Sequence, residues 1–290
     1  MSRPVQEKTW RVIDIIHWAE DYFKEKDFDN PRREIEWFLR ELLACSRMDI
    51  YLRFEEALSK TQLSTLRKWV NRRIENEPLQ YITGSTAFYG RKYFVTDQVL
   101  IPRPETERLI EIALEKMSAK QSWEGTDIGT GSGCIGITMA LECPDSKFLG
   151  LDISKKSLEI AQKNANLHQV ENIHFEEKDI LKNGFEKPVD LIVCNPPYIP
   201  IEEMETLMPD VKNHEPFLAL TDNEDGLTFY RRLSKMADQW IKPNGWLIME
   251  VGLGNHPKKA MDIFRSSGFK QVELIKDYNG DDRILLVNIT

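Results

Sequence analysis

The chain is poor in cysteine and short of positive charge. Its four cysteines, Cys45, Cys134, Cys143 and Cys194, lie scattered through 290 residues. They show neither the paired spacing of a metal site nor the density of a disulfide framework, so reduced structural thiols are expected and no metal is. No run approaches ~18 consecutive apolar residues, and no apolar leader follows Met1-Ser2-Arg3-Pro4. A membrane span and a secretory signal are therefore not expected, and a cytoplasmic protein is. Internal repeats and low-complexity tracts are missing too. With 39 basic against 47 acidic side chains the net charge is −8, which argues against a protein held on duplex DNA by phosphate neutralisation. What is present is an ordinary globular composition, 41% hydrophobic and 30% charged, with enough chain for one large domain or two ordinary ones.

The two ends of the chain have different periods. Val12, Ile15, Ile16, Ala19 and Phe23 fall on one helical face. Asn30 is placed to cap a second helix, with Pro31 at its first position and Ile35, Phe38, Leu39, Leu42 and Leu43 as its apolar stripe. A third helix is expected from Thr61 through Ile74, stopped by Pro78. Residues 1–77 hold 15 basic and 15 acidic side chains, so the whole −8 falls on the 24 basic and 32 acidic residues that follow. Past Gly84, aromatic and β-branched residues from Phe88 to Ile101 suggest a β-hairpin connection. Strand-like segments at 126–128, 147–151, 173–178, 189–194, 246–251, 271–275 and 284–289 then alternate with helical stretches such as 154–166, 226–240 and 257–266. Such alternation predicts an α/β fold, a mostly parallel sheet with helices on both faces.

Asp127 to Gly136 reads D-I-G-T-G-S-G-C-I-G, between the first of these strands and a helix. Gly131, Gly133 and Gly136 satisfy the dinucleotide fingerprint, and Asp152 follows Gly131 by 21 residues, the spacing of a ribose-binding acid, so a dehydrogenase has to be weighed. Against it, the tightest cluster is Gly129-Thr130-Gly131-Ser132-Gly133 with Asp127 in front, and a carboxylate there opposes a pyrophosphate. S-adenosylmethionine, with an ammonium, a sulfonium and no phosphate, fits better. In that reading the glycines permit close approach, Asp152 takes the ribose hydroxyls, and Asp179-Ile180 meet the adenine. Any one acid alone is more often a turn residue. Three at the ends of successive strands, beside a glycine loop, are stronger, because such sheets bind ligands where the strand order reverses.

Val189 to Pro200 reads V-D-L-I-V-C-N-P-P-Y-I-P, a buried strand that runs into Asn195 and two prolines. Pro196 and Pro197 cannot extend a sheet ladder, and each restricts the residue before it. A lone Pro-Pro is usually just a strand stop. At the switch point it has chemical possibilities. A planar –NH₂ is a poor nucleophile because its lone pair is delocalised. Asn195 Oδ1 and the Pro196 carbonyl can accept its two hydrogens, orienting it and favouring positive charge on nitrogen, while Tyr198 stacks on the planar group. This chemistry does not choose between an adenine amine, a cytosine amine and a glutamine amide.

A resemblance narrows that choice. E-P-L-Q-Y-I-T-G (77–84), F-Y-G-R-K-Y-F-V (88–95), V-L-I-P-R-P-E-T-E (99–107), D-I-G-T-G-S-G, N-P-P-Y-I and E-P-F-L-A-L (215–220) occur in the order seen in the release factor glutamine methyltransferases, the HemK/PrmC family. The likeness covers roughly residues 77–290, and I-P-R-P-E-T-E upstream of the glycine loop is far more specific than that loop alone. It implies a seven-stranded, Rossmann-like class I methyltransferase domain, 85–290, behind a helical partner-recognition domain, 1–84, with 85–105 as a β-hairpin linker. It implies methyl transfer from S-adenosylmethionine to the glutamine of the G-G-Q loop of class I peptide chain release factors, and no direct nucleic-acid or membrane partner. Carried over by motif, Asp127, Gly129, Thr130, Gly131, Ser132, Gly133, Asp152, Asp179, Ile180 and Asn195 bind the cofactor, and Asn195, Pro196, Pro197 and Tyr198 hold the substrate amide. A ribosomal-protein glutamine or a nucleic-acid amine is the alternative substrate, and a non-catalytic binding module is the alternative class. Two departures stand out. Gly125-Thr126 replace the apolar residues usual before the acid, so the first strand is expected to be short or poorly paired. Asn255 stands where Gln is frequent.

Overall fold

The computed structural model of the protein describes residues 9–118 and 121–290. It divides into two compact units, Met1–Gly84 and Ser85–Thr290.

The first unit is helical: α1 (Val12–Lys24), α2 (Pro31–Leu43), α3 (Arg47–Leu52), α4 (Lys60–Ile74) and α5 (Leu79–Thr83). The apolar stripes meet in one core built on Ile16, Phe23, Ile35, Phe38, Leu39, Ile50 and Leu66. Proline starts α2 from its first position, but Asn30 makes no side-chain cap, contrary to expectation. The capping occurs where it was not foreseen. Ser59 and Gln62 bond each other's backbone N–H at 3.2 and 2.8 Å at the start of α4, a reciprocal capping box.

The second unit opens with a short antiparallel hairpin, β1 (Ser85–Phe88) and β2 (Arg91–Phe94), paired from Ser85↔Phe94 to Phe88↔Arg91. Pairing stops there, so the Val99–Ile101 run does not belong to the hairpin. Pro102 and Pro104 break it, and α6 (Pro104–Met117) begins at once. There follow β3 (Glu124–Ile128), α7 (Cys134–Glu142), β4 (Lys147–Asp152), α8 (Lys155–Leu167), β5 (Ile173–Glu177), β6 (Val189–Cys194), a 3-10 turn (Ile201–Thr206), α9 (Pro209–His214), α10 (Phe217–Leu220), α11 (Thr228–Trp240), β7 (Ile241–Glu250), α12 (His256–Ser266), β8 (Gln271–Lys276) and β9 (Asp282–Asn288).

The sheet order is β5-β4-β3-β6-β7-β9-β8. All pairings are parallel except those that β9 makes with β7 and β8. One face packs residues of α6, α7 and α8, the other those of α11 and α12. This is the seven-stranded α/β fold expected. The order reverses between β3 and β6, and their carboxyl ends form the crevice where such sheets bind ligands. The doubt about β3 is overturned: it runs five residues and pairs along both edges. Gly125 is there for packing, since a Cβ would lie 2.7 Å from the Phe148 ring of the neighbouring strand. No helix among the described residues is long and apolar enough to cross a membrane.

Candidate active site

The loop from β3 to α7 is tied down from below. The Gly129 and Thr130 N–H groups both donate to the Leu151 carbonyl, at 2.8 and 2.9 Å, and Gly133 N–H donates to Thr130 O at 2.8 Å. Asp127 is fully enclosed beneath it. One carboxylate oxygen accepts from the Thr130 hydroxyl at 2.7 Å and from Gly136 N–H at 3.0 Å, and the other has no partner among the described residues. Burial pushes this carboxyl up to about 6 against those bonds. Gly136 is the third residue of α7, so a donor that a pyrophosphate would need at that helix end is already taken. Asp127 therefore shapes the loop from within and is not part of its open face.

Gly129, Gly131 and Gly133 all adopt positive φ, +71°, +55° and +80°, but for different ends. At Gly133 a Cβ would strike Ile137 at 2.7 Å, so the glycine serves helix packing. At Gly129 and Gly131 it would meet only backbone oxygens, at 4.0 and 3.9 Å, which leaves a bare concave surface. Asp152, at the end of β4, sits beside it. Its two oxygens accept from Gly131 N–H and Ser154 N–H, both at 2.9 Å, which leaves the carboxylate acceptor capacity to spare. Asp179 lies two residues past β5, and its oxygens accept from Leu181 N–H at 3.0 Å and Lys182 Nζ at 2.8 Å. The Ile180 carbonyl is taken by Arg232 at 3.1 Å. Backbone acceptors, bare glycine surface and a carboxylate with free lone pairs form a set that fits a ligand bearing cationic and hydroxyl groups.

Asn195 leaves β6 facing this loop, its carbonyl oxygen being the atom nearest the Cβ position at Gly129. Its side-chain Nδ2 donates to Thr106 Oγ1 at 3.1 Å, and Thr106 in turn donates to Glu250 Oε2 at 2.6 Å. The other Glu250 oxygen accepts from the Tyr198 hydroxyl at 3.0 Å and from Arg283 at 3.2 Å. Tyr198 thus turns its hydroxyl inward, and its ring lies 5.9 Å from that of His256. His256 Nδ1 accepts from Gly252 N–H at 3.1 Å, so the proton sits on Nε2, which donates to the Gly226 carbonyl at 3.0 Å. Burial lowers its pKa, disfavouring the charged ring.

Sequence reasoning named Asp152, the glycine loop and Asn195, which the fold brings to the carboxyl ends of β3, β4 and β6. It missed Thr106, Glu250, Arg283 and His256, the residues behind Asn195 and Tyr198. It also missed Asn164 on α8, whose buried carboxamide bonds the Ser132 carbonyl at 2.8 Å and the Phe94 backbone at 2.7 and 3.0 Å, fastening glycine loop to hairpin. The signal for some of these lay in I-P-R-P-E-T-E. Arg103 bonds Glu215 of E-P-F-L-A-L at 2.5 Å, Thr106 joins Asn195 to Glu250, and Glu107 accepts from Tyr89 N–H at 2.7 Å. The motif fastens four other segments to the start of α6. Asn255 occupies the N-cap of α12 without a capping bond.

Comparison with known proteins places the chain among relatives. The family described as PrmC N-terminal domain matches residues 14–84, and that described as Methyltransferase small domain matches residues 107–209. The Release factor glutamine methyltransferase of Geobacter sulfurreducens is 37% identical over 276 residues, covering 95% of this chain and 96% of its own. That of Chlorobaculum tepidum is 37% identical over 290 residues, covering 96% and 97%. A crystal structure of a methyltransferase from Pyrococcus furiosus aligns with 79% of this chain and 98% of its own, at a TM-score of 0.49 and 14% identity.

Proposed function

The chain belongs to the release factor glutamine methyltransferases, and on that premise we propose that it transfers a methyl group from S-adenosyl-L-methionine to the side-chain amide nitrogen of the G-G-Q glutamine of class I peptide chain release factors. The observation that carries the reading is the pair of unoccupied acceptors at the switch point. Asn195 Oδ1 and the Pro196 carbonyl accept no bond within the described residues, while Asn195 Nδ2 is committed to Thr106.

S-adenosyl-L-methionine supplies an electrophilic methyl on a sulfonium sulfur, which keeps the bond's electron pair as S-adenosyl-L-homocysteine leaves. The chain's own residues do the rest. Asp152 receives the ribose hydroxyls, and Gly129 and Gly131 let the backbone approach closely. Asp179 and the Ile180 N–H meet the adenine edge. Asn195 Oδ1 and Pro196 O accept the two amide hydrogens of the glutamine, fix its nitrogen in line and favour the positive charge that develops there. Pro196 and Pro197 hold that loop rigid, and the Tyr198 ring packs on the planar amide. The nitrogen becomes acidic only after transfer, so its proton leaves late to water and no strong base is needed. Residues 1–84 hold the release factor and take no part in the chemistry. The working place of such an enzyme is the cytoplasm.

Single-turnover transfer of labelled methyl to a release factor, with the modified residue located by mass spectrometry, tests this. Asn195→Ala is expected to lower the rate by about 10²–10³, the loss of one oxyanion-type contact, with cofactor affinity far less affected. Label on any residue other than a glutamine amide would overturn the substrate assignment.

A further inference from the structure

A carboxamide such as that of Asn195 can present either end. For the reaction above only one end is useful: the oxygen must face the substrate amide, because an Nδ2–H there would oppose the incoming N–H groups. Two groups in the protein decide which end turns where. Thr106, 2% exposed at the third position of α6, has a single hydroxyl proton. That proton points to Glu250 Oε2 at 2.6 Å, an oxygen of a fully enclosed carboxylate whose charge Arg283 faces at 3.2 Å. The face of Thr106 Oγ1 toward Asn195 is therefore a lone pair. The group 3.1 Å away must be the donor end of the carboxamide, and Oδ1 is left for the cleft.

We propose that Thr106 is a positioning residue for methyl transfer, and that with its proton committed to Glu250 it locks the Asn195 carboxamide in the one orientation that accepts from the substrate. The proposal rests on the glutamine-methylation reading and adds to it a residue that touches neither cofactor nor substrate. Glu250 is kept in register by further donors, Tyr198 at 3.0 Å and Arg283 at 3.2 Å, so the direction of every proton in the chain is set from the buried end.

Thr106→Val keeps the shape and removes the lone pair, letting the Asn195 carboxamide turn over. The rate of single-turnover transfer to a release factor is expected to fall ~10–100-fold, less than for removing the acceptor itself, with the KM for release factor and the calorimetric affinity for S-adenosylmethionine within about twofold. Thr106→Ser restores the hydroxyl and should recover most of the rate. The decisive readout is the cycle with Asn195→Ala. A residue acting only through Asn195 has nothing left to position, so Thr106→Val should cost no more than about twofold in that background. Should the valine variant not fold, Glu250→Gln replaces it. Its amide can donate to Thr106 and release the hydroxyl proton toward Asn195, so a drop is expected that again disappears with Asn195→Ala. A wild-type rate in Thr106→Val, an undiminished loss in the Asn195→Ala background, or no recovery with serine overturns the proposal. Failure of the wild-type chain to methylate glutamine would overturn the underlying reading before any variant is made.

Discussion

Glu36 in the helical unit and Glu250 in the sheet unit are enclosed to almost the same degree, 3% and 0% exposed, yet they are held in opposite ways. Glu36 accepts from Arg32 at 2.6 Å, Arg47 at 2.7 Å and the Tyr51 hydroxyl at 2.8 Å. Burial pushes its carboxyl up, but the bonds from Arg32, Tyr51 and Arg47 outweigh that and hold it low. Glu250 has one guanidinium and two hydroxyls, and burial wins: its carboxyl is raised. The partners of Glu36 lie 4 to 15 residues away, on its own helix and the next. Those of Glu250 lie 33 to 144 residues away. A carboxylate that serves stability is compensated locally and fully. One left dry and undercompensated, with its donors drawn from across the fold, marks a place where orientation matters more than stability.

The largest expected effect breaks the helical member of this pair. Removing one partner of a buried ion pair costs ~3–5 kcal/mol. With the Arg32 and Arg47 side chains still 33% and 64% exposed, Glu36→Ala should cost about 2–3 kcal/mol. Region-resolved hydrogen exchange should show faster opening of α1, α2 and α4, with the sheet unchanged and transfer to a short glutamine peptide unchanged. Glu250→Gln, which keeps an acceptor and removes a poorly compensated charge, should shift stability by under ~1 kcal/mol. If Glu250→Gln proved the more destabilising of the two, the contrast would be wrong.

The same contrast governs what could be read from the sequence. Helix faces, the sheet and the glycine loop follow from periods and spacings of a few residues, and they were legible. So were Asp152 and Asn195, which stand at strand ends the pattern itself locates. Thr106, Glu250 and Arg283 were not, because no local rule links a threonine at the start of one helix to a glutamate at the end of a strand 144 residues on. Gly125 misled for a related reason. Its role is to admit the Phe148 ring from the next strand, and only the register Gly125↔Phe148 reveals it. Asn30 failed as a cap because its backbone, at φ −129° and ψ 62°, lies outside the extended conformation that Ser59 adopts, whereas the Ser59–Gln62 box was readable and passed over.

Acid titration sharpens the comparison at another enclosed carboxyl of the sheet unit. Asp127 is raised to about 6, chiefly by burial. Its folded form holds the proton more tightly than the unfolded chain, so its penalty is absent below about 4 and grows as pH rises to about 6. The whole shift corresponds to ~3 kcal/mol, of which ~1 kcal/mol falls between pH 7 and pH 5. Glu36 has the opposite sign: its contribution is complete above its usual pKa and is lost only as pH falls through the lowered one. Comparing wild type with Asp127→Asn cancels the opposing titration of His256. In urea denaturation, the wild-type stability relative to Asp127→Asn should rise by about 1 kcal/mol from pH 7 to pH 5. The corresponding difference for Glu36→Gln should stay flat. A flat Asp127 difference would mean that the carboxyl is not strained by its burial.

A finer comparison comes from a matched pair of hydroxyls. Tyr51 and Tyr198 each donate to one oxygen of a buried glutamate, at 2.8 and 3.0 Å, and each lies near an arginine, Arg32 and Arg283, both 5.7 Å from the ring centroid. Tyr51 is 39% exposed. In Tyr51→Phe, water can take the vacated place while both arginines continue to bond Glu36, so the loss should be about 0.5 kcal/mol, the low end for a hydrogen bond. Glu250 has no exposed surface, and in Tyr198→Phe its Oε1 keeps only Arg283. A buried acceptor left short costs more, about 1–2 kcal/mol. The ring that packs on the substrate remains, so turnover should fall less in Tyr198→Phe than in Thr106→Val, in spite of the larger loss of stability. Equal losses for the two phenylalanine variants would show that water reaches Glu250 as readily as Glu36, and the distinction between a compensated carboxylate and an undercompensated one would lose its physical basis.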